Sequence, residues 1–235
     1  MDHKDIYIIA DLHMHSRNPT IVDIFQSFIT NITSSQNRLI ILGDFFDYWI
    51  GDDHTDKLYH KITNLLKQAS DGGLEILFMR GNRDFLISKK FKKLSCVEVI
   101  PDPYYIEVAN QKIALTHGDL LCTEDTSYHT YRKWIAYNMP LRFLFMRLPL
   151  FIRQRIANKT RDHSQDKNTQ KPNIDVTEEG ILKYLDDAKI MIHGHTHKMA
   201  VHKEKNYTRY VLGDWFKTGN YIKIDKNCNI VQHPI

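Results

Sequence analysis

Residues 77–86 read LFMRGNRDFL: an apolar run of the kind that forms a buried strand stops at Arg80 and Gly81, and Asn82, Arg83 and Asp84 follow at once. The placing is not isolated. The runs IYIIA (6–10), LIIL (39–42), KIALT (112–116) and KIMI (189–192) are also short and rich in β-branched residues, and each ends beside a residue type that binds metals. Near-continuous apolar runs of this length are the pattern of strands covered on both faces. Helical segments are expected at 20–31 and 56–70, the second closing on SDGG (70–73), a helix stop. Strand alternating with helix implies a layered α/β domain.

The strand ends carry a definite chemistry. The first gives Asp11 and His13, the second Asp44 within GDFFD (43–47), the third Asn82, the fourth His117, and the fifth His195 and His197 within HGHTH (193–197). Residues two apart at a strand end are expected to point to one side. Open α/β sheets gather their sites at the carboxyl ends of strands, so these residues are expected to meet. Two carboxylates, one amide oxygen and four imidazoles, with no thiolate, suit Mn2+, Fe2+ or Zn2+ better than Ca2+ or a structural zinc. That is too many ligands for one ion and enough for two if Asp44 bridges. Paired ions about 3.5–4 Å apart clamp the attacking and leaving oxygens of a displacement at phosphorus and lower the pKa of a shared water. The reaction class is hydrolysis of a phosphate ester or anhydride. A lone D-x-H or a lone buried histidine would carry little weight; the joint pattern carries the argument. His193 is expected to orient its neighbours, while Asp47, His3, His60, His202 and His233 are read as structural.

Composition sets the frame. The chain has 235 residues, 42% hydrophobic and 26% charged, enough for one large domain. The opening MDHKDIYIIADLH has too short an apolar run for a signal-peptide core, and no uninterrupted stretch approaches a membrane span. Cys96, Cys122 and Cys228 are odd in number and far apart, which argues against a disulfide framework, so a reducing cytoplasm is the expectation. The net charge of +4 is unevenly spread: residues 126–161 hold eight of the 32 basic residues and none of the 28 acidic ones, leaving 24 basic against 28 acidic elsewhere.

D-x-H, G-D-x-x-D, G-N-R-D, H-G-D and G-H-T-H, in this order, resemble the calcineurin-like metallophosphoesterase superfamily, which implies a four-layer α/β/β/α sandwich. GDFFDYWIGDD (43–53), RGNRDFL (80–86), HGDLLCTEDTSY (117–128), LPLFIRQRIA (148–157) and IHGHTHKMAVH (192–202) are similar to one branch, the UDP-2,3-diacylglucosamine diphosphatases of lipid A biosynthesis, over nearly the whole chain. That resemblance implies a peripheral enzyme at the cytoplasmic face of a bacterial inner membrane. Its two Mn2+ ions would activate a water that attacks the α-phosphorus, giving UMP and 2,3-diacylglucosamine 1-phosphate. It implies a single domain over 1–235 with a helical cap inserted at about 124–170. It further implies one ion on Asp11, His13 and His197, the other on Asn82, His117 and His195, and Asp44 between them. Catalytic roles fall to Asp44, Asn82, Arg83 and His195, and substrate contacts to Asn82, Arg83, Asp125, Ser164, Asn168, Lys171 and His195. Asp166, Lys167 and Pro172 depart from the small polar residues of relatives and leave the pose of that loop open.

Arg83 stands where many members of the superfamily place a histidine. Arginine cannot release a proton at neutral pH but can hold a phosphoryl oxygen through its planar fork. A phosphate leaving group, whose second pKa is about 6, leaves without protonation, so Arg83 favours an anhydride over an alkyl ester. Asp84 is expected either to orient Arg83 or a nearby ligand or to cap the strand end.

Residues 126–161 also interleave their basic residues with Tyr, Trp, Phe and Leu, as helices broken near Pro140 and Pro149. The pattern fits an interfacial surface on an anionic leaflet or a cover for acyl chains. It is too apolar for a groove that tracks nucleic-acid phosphates; the resemblance implies a glycolipid nucleotide and a membrane surface as partners, with no nucleic acid and no protein partner. Ordinary helix packing stays open, as do a different phosphodiesterase of the same fold and a non-catalytic scaffold.

Overall fold

The computed structural model describes residues 4–53, 56–124, 132, 138–159, 175–216 and 219–235. Two sheets face each other. The first has the order β11-β10-β1-β2-β3-β4 and the second β5-β6-β7-β9-β8. The five expected runs are β1 (Asp5–Ile9), β2 (Asn37–Leu42), β3 (Glu75–Met79), β6 (Gln111–Thr116) and β7 (Ile190–His193). β1, β2 and β3 pair in parallel, and so do β6, β7 and β9 (Thr208–Val211), so both sheets send carboxyl ends to one edge of the sandwich.

Strand alternation assigns each side chain to a layer. Ile6, Ile8, Ile40, Leu42, Leu77 and Met79 face the second sheet, where Ile113, Leu115 and Ile192 meet them in one core between the sheets. Ile9, Leu39, Ile41, Ile76 and Phe78 point the other way, onto helices α1 (Pro19–Ile32), α2 (Lys57–Asp71) and α3 (Lys89–Ser95). Ala114 and Met191 on the far face of the second sheet pack on Ile181 and Leu185. The result is helix, sheet, sheet, helix, as the family resemblance implies.

The helix ends follow local chemistry. Asp56 caps α2 by accepting from the N–H of Leu58 (2.7 Å), and Gly73, at φ +96°, ends the chain's turn out of it. Within the basic segment, α4 (Met139–Arg147) opens with Pro140 in its first turn, residues 150–159 form α5 directly after Pro149, and α6 (Glu178–Leu185) returns to the second sheet. The antiparallel strands β5 (Tyr104–Val108), β8 (Ala200–Lys203), β10 (Asn220–Ile224) and β11 (Ile230–Pro234), with the short β4 (Glu98–Ile100), complete the sheets and had no counterpart in the sequence reading.

Candidate metal centre

The expected ligands sit beyond the strands rather than on them, and this corrects one expectation. β1 ends at Ile9, and Asp11 and His13 converge not by strand alternation but because both adopt left-handed backbone, at φ 56° and 46°. Asp44 (49°), His195 (68°) and His197 (59°) do the same. Non-glycine residues at positive φ are uncommon and cost of order 1–3 kcal/mol each when strained, so half of the ten in the described residues falling on these ligands marks the site.

The loops are braced by one another's carboxylates. Asp11 Oδ2 accepts from the N–H of His195 (2.7 Å), and Asp44 Oδ1 from the N–H of Arg83 (2.8 Å). Asp84 does not hold the Arg83 side chain. Its two oxygens accept from Gly81 N–H (2.7 Å) and Phe45 N–H (2.9 Å), tying the loop that carries Asn82 to the loop that carries Asp44. Gly81 and Gly194 stand where loops touch: a β-carbon would lie 2.3 Å from Asp44 Oδ1 at the first and 2.3 Å from Asp11 Oδ2 at the second.

Two groups result. In one, Asp11, His13 and His197 place a ligand atom each within 4.8 Å of the others, and Asp44, His117 and His195 do so in the second. Asp44 lies between them, with Oδ2 4.0 Å from His13 Nε2 and Oδ1 3.6 Å from His117 Nε2. Asn82 joins the second group, its Oδ1 2.9 Å from His117 Nε2 and 3.1 Å from His195 Nδ1. His117 Nδ1 sits 2.8 Å from the Leu42 carbonyl, an arrangement that leaves Nε2 for an ion.

The residues fit a pair of cations. Asp11 Oδ1 is buried and meets no hydrogen-bond donor among the described residues, with His197 Nε2 3.5 Å and His13 Nε2 4.0 Å away. His13 Nε2 and His197 Nε2 point at each other across 3.2 Å. Burial holds His13 at a pKa of about 3 and His195 at about 4, as the neutral imidazoles that ions require. Burial works against charge on His117 too, yet Asp44, Asp119 and Asp11 push it up to about 9, and burial tending to raise Asp11 is outweighed by His197, His117 and His13, which hold it at about 2. Burial and the Asp11 charge raise Asp44. The field of the cluster calls for positive charge.

The guanidinium of Arg83 supplies part of that positive charge, favouring the neutral form of His13 and the ionised form of Asp44. His193 is fully buried, with Nδ1 2.9 Å from the Gly194 carbonyl and Nε2 3.0 Å from Arg209, and it stays out of both groups. Asp47 is buried, with its N–H donating to the Met14 carbonyl (3.1 Å). Asp125, Ser164, Asn168 and Lys171 lie outside the described residues, as does much of the expected cap at 124–170.

The sequence reading missed Asp214, whose Oδ2 lies 3.5 Å from His197 Nδ1. The signal was present, because LGDWF (212–216) repeats the L-G-D-aromatic-Phe of LGDFF (42–46) at a strand end.

A family model described as calcineurin-like phosphoesterase matches residues 4–199. A UDP-2,3-diacylglucosamine hydrolase of Haemophilus influenzae is 40% identical over 95% of this chain and 94% of its own. The enzymes of that name from Ectopseudomonas mendocina (39% identical, 94% of each chain) and Photorhabdus laumondii (38% identical, 96% of this chain and 98% of its own) are similar along the same length.

Proposed function

The chain belongs to the calcineurin-like phosphoesterase family, within its UDP-2,3-diacylglucosamine hydrolase branch, and on that premise we propose that this hydrolase cuts the pyrophosphate of UDP-2,3-diacylglucosamine into UMP and 2,3-diacylglucosamine 1-phosphate. The proposal places it at the cytoplasmic face of the inner membrane, with two Mn2+ ions. The observation that carries the reading is the convergence of two ligand groups on the single carboxylate of Asp44, with Arg83 beside them.

Asp11, His13 and His197 would hold one ion and Asn82, His117 and His195 the other, with Asp44 shared. Such a pair, when bound, supplies an acidified water and a clamp for phosphoryl oxygens. The chain's own part is positional. Arg83, tethered through its N–H to Asp44, would hold phosphoryl oxygens through its guanidinium and steady the charge that develops there. No group of the described cluster is needed to protonate the leaving lipid phosphate, because a phosphate with a second pKa near 6 departs as the anion. A substrate with two anionic phosphates and two acyl chains also suits the neighbouring basic helices. Met139, Phe143, Leu144 and Phe151 are each at least 60% exposed there.

The test is hydrolysis of UDP-2,3-diacylglucosamine with Mn2+ in 18O-labelled water. Label in UMP is the expected result and places attack at the α-phosphorus. Label in the lipid phosphate would move attack to the β-phosphorus. No turnover of the glycolipid, with an unacylated UDP-sugar or a small diester cut, would overturn the lipid part of the reading.

A further inference from the structure

β9 runs parallel to β7, and its carboxyl end opens into Gly213–Phe216, the sequence GDWF. This loop is fixed at several points. Asn220 accepts from Gly213 N–H (3.0 Å) and donates to the Asp214 carbonyl (3.1 Å), while Trp215 N–H donates to the Asp11 carbonyl (3.3 Å). Trp215 is fully buried, edge-on to Phe28. The Asp214 carboxylate is thus held in place, Oδ1 accepting from Phe216 N–H (3.1 Å) and Oδ2 3.5 Å from His197 Nδ1. Across the same ring, His197 Nε2 faces His13 Nε2 at 3.2 Å and Asp11 Oδ1 at 3.5 Å. The imidazole therefore spans from the ligand cluster on one side to a carboxylate on the other.

We propose that Asp214 is a positioning residue for the first ion position: its carboxylate accepts from the Nδ1–H of His197, which keeps the proton on Nδ1 and leaves the Nε2 lone pair for the ion. The proposal rests on the two-ion reading above. A free imidazole has two tautomers and a broad ring torsion, and a carboxylate on the far nitrogen removes both freedoms. His197 needs such a partner, because its side chain is 30% exposed and packing alone does not lock it. His117, fully enclosed, has the Leu42 carbonyl at its own Nδ1. Asp214 does for the first ion position what that carbonyl does for the second. Phe216 closes the arrangement, stacked on His13 (centroids 5.8 Å, 14°) and edge-on to His197 (5.9 Å, 67°).

The test uses the full chain with Asp214→Ala and Asp214→Asn, each compared with wild type by Mn2+ titration calorimetry and by the melting temperature of the metal-free protein. Wild type should bind two ions. Asp214→Ala should keep one at wild-type affinity and bind the other about 10–100-fold more weakly, the range for partners of this kind. Asp214→Asn, whose amide oxygen can still accept from Nδ1–H, should fall between them, with the metal-free melting temperatures unchanged. Wild-type affinity for both ions in Asp214→Ala overturns the proposal. So does equal weakening of both ions together with a lower metal-free melting temperature, which would make Asp214 only a support for its loop. A wild type that binds fewer than two ions overturns the two-ion reading instead, and is told apart by that.

Discussion

Gly81 carries no side chain because Asp44 occupies the space. An alanine β-carbon would lie 2.3 Å from Asp44 Oδ1 and 2.4 Å from the Asp44 nitrogen, and neither partner can retreat. Asp44 Oδ1 is engaged by Arg83 N–H and the Gly81 N–H by Asp84, so relief must displace the bridging carboxylate or break the clamp between two loops. Displacements of about 1 Å near reacting groups cost on the order of a hundredfold in rate. Gly81→Ala is therefore expected to lose about a hundredfold in kcat/KM and to bind ions more weakly, as read by steady-state kinetics and metal titration. Turnover within threefold of wild type would contradict the close approach. At this scale the seven candidate ligands were legible, because their types and strand-end places are written in the sequence. What fixes them was not. Gly194 and the left-handed backbone at Asp11 act on groups remote in sequence, as Asp84 does on Phe45, and no local pattern reports those partners.

Arg153 shows what holds an element. It lies on α5, yet it is only 2% exposed and spans to the loop after β2. Its guanidinium donates to the Ile50 carbonyl (2.5 Å) and to Asp53 Oδ1 (2.8 Å) and also contacts Asp53 Oδ2, while Nε donates to the Leu148 carbonyl (3.0 Å). Met146 of α4 meets it through Sδ (3.8 Å), and Phe145 and Met146 pack on the core under α1–α3. Arg142 donates to the Phe85 carbonyl (3.1 Å), just after the Gly81–Asp84 loop. Removing the Arg153 head would strand a buried carbonyl and release a partner that is itself half exposed, a loss of about 1–3 kcal/mol. For a chain of this size each such kcal/mol lowers the melting temperature by about 2–4 °C. Arg153→Ala is thus expected to melt several degrees lower and to turn over the glycolipid at least about tenfold more slowly, while cutting a small chromogenic diester at the wild-type rate. Equal loss on both substrates would deny these helices a separate role. The helices themselves were legible from Pro140, Pro149 and the charge run, but their attachment was not, because Arg153 reads in sequence as one more basic surface residue. The strands β8, β10 and β11 went unread for a related reason: half-exposed and alternating, with no ligand at their ends, they lack the apolar continuity that announced the others.

At the scale of the whole molecule, the excess positive charge and several of the exposed apolar side chains fall in one stretch of the chain, residues 138–159. No residue of α4 is buried, Arg147 lies over the Phe143 ring at 4.6 Å, and Phe151 and Ile156 of α5 remain exposed. No described helix is long and apolar enough to cross a membrane. The proposed attachment to an anionic leaflet would use the exposed aromatic and aliphatic side chains between arginines, with each basic residue near the surface contributing about 1 kcal/mol. Two forces would then add, and they respond differently to salt. The Debye length shrinks from about 10 Å at 0.1 M to about 3 Å at 1 M, so the Coulombic part fades while insertion of Phe143 and Leu144 persists. Co-sedimentation with vesicles containing phosphatidylglycerol should fall at least about tenfold in apparent affinity over that range and level off rather than vanish. Phe143→Asp with Leu144→Asp should remove the salt-resistant remainder and leave diester hydrolysis intact, since neither residue belongs to the ligand groups. Binding that is indifferent to both salt and lipid charge would instead leave the basic residues of this segment without a membrane role, and would turn attention to their contacts with the anionic substrate itself.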